Sequence, residues 1–306
     1  MRRQVGRAAA AVVVAGAMLS GCGGPILAGS AVVIGDRAIP LSQVRSEVEA
    51  VLSDPGAVSL ADAQGQQLAD LARDVVAARV KEAIVMPAAG AAGVTVSPAL
   101  IDSEVDNTVR AALDRLGPQA AETVDPAQVE AFRELLHRTV PAQLTAIELG
   151  RRAAGGIAVT VDEVPARDRA TAEKLAGALA AGGRAAEEAL SGPGAKRGIT
   201  YTAVGDPDRA GTVLFGVPQG AVVAYQPSPG NASWSVAKIT SRRTGGVADQ
   251  GAVDRLSQRQ LVRIGFRIAQ ARTGPVTVNP RYGVWDPVQF ELARPGDETG
   301  VVLLPG

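Results

Sequence analysis

Few residues in this chain could do chemistry, and the most specific is the only cysteine, Cys22. Leu19-Ser20-Gly21-Cys22 matches the lipobox pattern L-[AS]-[GA]-C. Arg2, Arg3 and Arg7 precede it as a positive n-region, and residues 8–19 form an apolar run. About a dozen apolar residues suit a signal-peptide core and fall short of the roughly 20 that span a bilayer as a helix. The chemistry this implies is thiol alkylation by a diacylglyceryl group. Cleavage before Cys22 then frees an amine for a further acyl chain such as palmitate. Two or three chains anchor a protein stably, where one binds only marginally. Residues 1–21 therefore read as a lipoprotein signal peptide, Cys22 as the lipidation site and 22–30 as a small-residue tether. The expected address is the extracytoplasmic face of the cell membrane.

The other candidates carry no enzyme signature. His137 is the sole histidine and lacks a matched Cys, His or carboxylate pattern, so it reads as a helix-surface residue. Ser191, Ser228 and Ser233 have no nucleophile elbow around them. Gly192-Pro193-Gly194-Ala195-Lys196 lacks the phosphate-loop spacing. Asp102, Glu104 and Asp106 alternate, and alternate residues on a helix do not share a face. No catalytic residue, metal or cofactor is expected. Without the three n-region arginines the chain holds 28 basic and 31 acidic residues. That mild acidity argues against a nucleic-acid partner. With one cysteine no internal disulfide forms, and with 3% aromatics the core must be built from Ala, Val and Leu.

The elements that would position any site follow from periodicity and punctuation. Residues 31–39 read as two short strands about a Gly35-Asp36 turn. A helix follows, with Ser42 as its cap and Val44, Val48, Val51 and Leu52 as its apolar stripe. A longer helix spans about 59–86 and stops at Pro87. Ser97-Pro98 and Asp125-Pro126 each open a helix, the second passing through Pro141, where a kink is expected. Gly155-Gly156 and Gly245-Gly246 read as hinges bracketing a unit of mixed texture. That unit contains a strand at 157–164, helices at 171–181 and 185–190, and β-like runs at 199–204, 221–225 and 233–239. A long helix at 249–273 follows, with Phe266 off its apolar stripe and so expected to pack between two partners. In the tail, Asn279-Pro280 and Asp286-Pro287 read as turns, with Tyr282 and Trp285 as docking anchors.

Residues 31–44 (AVVIGDRAIPLSQV) resemble the N-terminal segment of SurA and PrsA-type foldases, "xVNGxxIxxxxV". In that family several helices and a returning C-terminal helix form a chaperone lobe, with a parvulin prolyl-isomerase domain inserted between them. The resemblance covers most of 31–273. Residues 171–182 resemble the first parvulin helix, 214–222 the "aFxlxxGev" segment and 233–239 the closing "GYHIIKV" strand. The tail at 276–286 resembles that of actinobacterial lipoproteins with a SurA-type N-terminal domain.

The resemblance implies an α+β chain: a mainly helical SurA-like lobe at 31–154, a degenerate parvulin-like domain at 157–244, and a returning helix and tail at 247–306. Active parvulins carry one histidine in the closing strand and another in the first strand. Here Ser235 stands at the closing position. Only 165–170, with no histidine and little room for a strand, precede the first helix. Phe215, Trp234 and Ser235 are the residues expected to line whatever pocket survives. The implied function is a membrane-anchored chaperone for unfolded or exported polypeptides, without isomerase activity. The alternatives are a divergent peptidyl-prolyl isomerase and a structural lipoprotein with one cell-envelope partner.

Overall fold

The computed structural model describes residues 29–63, 65–227, 233–246 and 249–305. Cys22, the expected signal peptide, most of the expected tether and Ser228 lie outside them. The chain opens with a hairpin, β1 (Ser30–Ile34) and β2 (Arg37–Pro40), so Ser30 already belongs to a strand rather than to the tether. Helices α1 (Leu41–Leu52), α2 (Pro55–Ala63), α3 (Leu68–Ala91), α4 (Pro98–Leu116), α5 (Pro118–Ala121) and α6 (Pro126–Ala153) follow. The mixed unit comprises β3 (Ala158–Ala166), α7 (Arg169–Ala181), α8 (Gly183–Leu190), β4 (Lys196–Thr202), α9 (Pro207–Ala210), β5 (Val222–Tyr225) and β6 (Trp234–Arg243). The chain returns through α10 (Gln250–Asp254) and α11 (Gln258–Gln270). It ends in four short strands: β7 (Val276–Val278), β8 (Val284–Asp286), β9 (Glu291–Ala293) and β10 (Gly300–Leu303). This is an α+β architecture.

Local chemistry sets most helix ends. The Ser97 hydroxyl accepts from the Leu100 amide at 3.3 Å, and the Asp125 carboxylate accepts from Ala127 at 2.9 Å, each just before a first-turn proline. Ser42 is not a cap: Pro40 holds that position without a side-chain bond, and Ser42 sits inside α1. The stretch expected as one helix from 59 is two, α2 and α3, separated around Gly65 at φ 67°.

Pro87 does not end α3, which runs on to Ala91. A proline has no amide proton, so it leaves the carbonyl four residues earlier without its helical donor. The guanidinium of Arg37, on β2, donates to that carbonyl, Ala83, at 2.8 Å. A tertiary contact thus replaces the bond that the proline removes. Helix α6 likewise continues through Pro141.

The returning helix is shorter than its periodicity suggested. Ser257 breaks it by forming a capping box with Gln260, which starts α11 afresh. Helix α11 packs most extensively on α6 and then on α3. The α6 contact is a backbone-to-backbone approach. A Cβ on Gly265 would collide with the carbonyl of Ala146, and one on Gly150 with the carbonyl of Leu261. Phe266 does lie between two partners, because the tail covers its far side: the Phe290 ring centroid is 5.1 Å away. The two Gly-Gly segments touch, with the Gly246 amide donating to the Gly156 carbonyl at 3.2 Å.

The mixed unit is a five-stranded antiparallel sheet ordered β10-β5-β6-β3-β4. One face carries α7 and α8 over Val164, Val222, Ala224, Trp234 and Val236. The other merges with the helical core through Val159, Val161, Val223, Tyr225 and Ile239. The strand before α7 reaches Ala166, so Pro165 and Ala166 of the short stretch expected to leave little room for one are its last two residues.

The edge strand β10 comes from the C-terminal tail. The tail therefore stitches the molecule at both ends, since β7 pairs with β1 and β10 with β5. Arg267 fixes the middle. Its side chain is almost wholly buried and donates to the carbonyls of Gly211, Pro287 and Val288 and to the Gln270 amide oxygen. Burial pushes its guanidinium down to about 9.

Candidate functional site: an interlobe cleft and a buried polar cluster

Where α3, α6 and α11 meet the tail, they leave an open cleft of about 810 Å³. That lies within the roughly 300–1,000 Å³ of ordinary ligand sites. One wall is apolar and helical, with Ala78, Leu136, Val262 and Phe266; the other is the β8–β9 turn with Phe290 and Leu292. Tyr225, Gln226 and Pro227 close the end nearest the sheet.

Phe290 adopts φ 62°, a region that disfavours non-glycine residues by about 1–2 kcal/mol. Its ring is held there between Phe266 and Trp285, at centroid distances of 5.1 and 5.0 Å, with the Arg267 guanidinium 5.7 Å above it. Lys81 lies half-buried in the cleft with Glu291 4.0 Å away. Burial lowers its ammonium below the usual lysine range, against the pull of Glu291.

On the sheet face turned toward the helices sits a compact polar cluster. The Ser235 hydroxyl donates to Glu163 Oε1 at 2.5 Å, and the Tyr225 hydroxyl donates to the same oxygen at 3.4 Å. The Tyr201 hydroxyl donates to Oε2 at 3.3 Å, and Arg209 donates to Oε1 and to the Tyr225 oxygen, both at 3.2 Å. Glu163 reaches Ser235 from the neighbouring strand, two residues out of direct register, since Pro165 pairs with Ser235. Tyr225 is 1% exposed, and burial, with the Glu163 charge adding to it, raises its phenol well above the usual range. Burial likewise raises Tyr201, the Glu163 charge again adding to it. The cluster can hold a polar group by hydrogen bonds, but it contains no imidazole or thiol.

The three residues expected to share a pocket are not brought together. Phe215 is 0% exposed and belongs to the core that the sheet shares with the helices. Trp234 packs in the opposite core, under α7, because consecutive strand residues face opposite sides. Only Ser235 reaches a polar site. Sequence reasoning misses its partner Glu163, although Asp162-Glu163 interrupting an apolar strand is a visible signal. It also misses the cleft residues Arg259 and Arg263, yet Arg255, Arg259, Arg263 and Arg267 recur every four residues. His137 is exposed on α6, and no group of three or more metal-binding side chains occurs among the described residues.

The fold and the site define an α+β protein with a cleft between a helical bundle and a tail-completed sheet. No protein-family model matches the chain, and no curated protein matches it. Among solved structures, it is similar to the foldase protein PrsA from Lactococcus lactis, at 13% identity and a TM-score of 0.23. That match covers 78% of this chain and 85% of the other. A superposition so loose carries no argument about activity.

Proposed function

We propose that this chain is a lipid-anchored, extracytoplasmic chaperone that holds unfolded polypeptides in its interlobe cleft without catalysing their isomerisation. The observation that carries the reading is the cleft itself. It is open, has ordinary ligand-site volume, and is walled by Ala, Leu, Val and Phe side chains, with charged groups at intervals. Such a surface suits an extended chain of mixed sequence better than a rigid small molecule. Cys22 supplies the anchor in this reading, and the tether carries the cleft off the membrane surface.

The test is aggregation of an unfolded client. The protein should delay it at near-stoichiometric ratio, and Ala78→Trp, which fills the cleft from a half-buried position on α3, should abolish the delay while keeping the fold. Equal protection by the wild-type and filled proteins would reject the cleft as the holding site. Cys22→Ala should move the protein out of the detergent phase and remove acyl label. An unlabelled wild-type protein would end the lipoprotein reading.

A second reading, a divergent prolyl isomerase, is favoured by the Glu163–Ser235–Tyr225–Arg209 cluster. The barrier to be lowered is about 18–20 kcal/mol. Exchange of a proline peptide that the wild-type protein accelerates and Glu163→Gln does not would decide for the enzyme. No acceleration by wild-type protein decides against it.

A further inference from the structure

We infer that the interlobe cleft selects polypeptide segments bearing carboxylates, and that Arg259, Arg263 and Lys81 are the groups that read them. The inference rests on the holding function above and adds its client chemistry. Arg259 and Arg263 stand one turn apart on α11, on the stripe that ends in Arg267, and both line the cleft. Like charges at this spacing disfavour a helix by a few tenths of a kcal/mol. Three other exposed helix arginines pair with a carboxylate four residues on, as Arg45–Glu49, Arg169–Glu173 and Arg184–Glu188. Arg259 and Arg263 answer none. The side chain of Arg263 lies along the backbone at Gly211, where a Cβ would come within 3.0 Å of its Nε.

The opposing charges in the cleft do not balance these cations. Lys81, Arg259, Arg263 and Arg267 face only Asp74 and Glu291. Asp74 accepts from Gln66 at 2.5 Å, and Glu291 sits beside Lys81. Arg267 is saturated by carbonyls, which leaves the two α11 arginines and a half-satisfied lysine for a ligand. A guanidinium pairs with a carboxylate through two parallel bonds, so the arginines favour that group over a neutral amide. The apolar wall of Leu136, Val262 and Phe266 runs beside them, so the fitting occupant alternates acidic and apolar residues. A free anion would use only the charged part of the cleft, and a membrane surface could not enter it.

The experiment measures fluorescence anisotropy of three labelled peptides of equal length, in which Leu alternates with Glu, Gln or Lys, against the full chain in neutral detergent. The Glu peptide should bind about tenfold more tightly than the Gln peptide, with the Lys peptide weakest, and the gap should shrink as salt rises. Arg259→Gln with Arg263→Gln should erase the preference, and Arg259→Glu with Arg263→Glu should reverse it. Unchanged thermal melts would show that both pairs of variants fold.

Equal binding of the three peptides, or a preference that survives charge reversal, overturns the inference. Displacement of the Glu peptide by millimolar inorganic phosphate, or by vesicles of anionic lipid, overturns it in favour of those anions. Aggregation protection without a charge preference leaves the holding function and removes the inference. A charge preference without protection does the opposite.

Discussion

Replacing Gly265 with alanine sets two effects against each other. Alanine favours a helix over glycine by about 1 kcal/mol, so Gly265→Ala, judged on helix propensity alone, should stabilise α11. The tertiary structure reverses the sign. The new Cβ would strike the carbonyl of Ala146 on α6, a backbone atom that no rotamer change can move. Overpacking a close contact costs about 1–3 kcal/mol and occasionally more. With a helix backbone as the obstacle the upper end applies, which leaves a net loss of about 2 kcal/mol after the propensity gain. At about 2–4 °C per kcal/mol for a chain of this size, the melting point should fall by about 4–8 °C.

Gly177→Ala is the internal control. Gly177 lies on the exposed face of α7, and a methyl group added there would meet nothing within 4 Å, so the variant should gain about 0.5–1 kcal/mol. Thermal and urea melts followed by circular dichroism read both variants. If Gly265→Ala stabilises the protein as Gly177→Ala does, α11 does not approach α6 as described and the reasoning fails. Gly150→Ala should destabilise in the same sense, and the two losses should not add, because both push the same helices apart.

Three further outcomes follow. Arg267→Met should cost about 3–5 kcal/mol in urea unfolding, since it strands several buried carbonyls, and Arg267→Lys should not rescue it because an ammonium lacks the planar fork; a loss under about 1 kcal/mol in either variant would refute the role given to Arg267 as the central tie of the tail. Deleting residues 295–306 should expose the edge of β5, speeding amide exchange across Val222–Tyr225 and promoting self-association visible by light scattering, whereas unchanged exchange would show that β10 is dispensable. In alkaline titration, Tyr225 should ionise above the usual tyrosine range: its pKa in the folded protein lies above the usual value near 10, so above that pH the unfolded chain releases a proton the folded chain keeps, and stability should fall as pH rises. Early ionisation of Tyr225, traced by its loss in Tyr225→Phe, would contradict its burial.

The amino-acid sequence determined what depends on near neighbours along the chain. Ser97-Pro98 and Asp125-Pro126 start helices because a side-chain acceptor and a missing amide proton act within one turn. Four of the sheet's five strands, all but β10, and the Gly35-Asp36 turn were legible from local pattern, as was the turn at Asp286, whose carboxylate accepts from Val288 and Gln289. The Ser257 cap is equally local, but the long apolar stripe running through it conceals it.

The tertiary structure decided whatever depends on a distant partner. Pro87 signals a stop, yet α3 continues, and Arg37, far away in sequence, donates to the carbonyl that the proline leaves without its helical donor. The tail carried no sign of which sheet its last strand would join. Glu163 and Ser235 are 72 residues apart, and they meet only because β3 and β6 pair, which sets Glu163 two residues from Pro165, the direct partner of Ser235. The parvulin resemblance grouped Phe215 and Trp234 with Ser235, yet Phe215 is buried in the core shared with the helices, and strand alternation turns Trp234 into the other core. The cleft belongs to no single segment: three helices and the returning tail, which touch one another at Phe266, Phe290 and Arg267, each supply part of its lining.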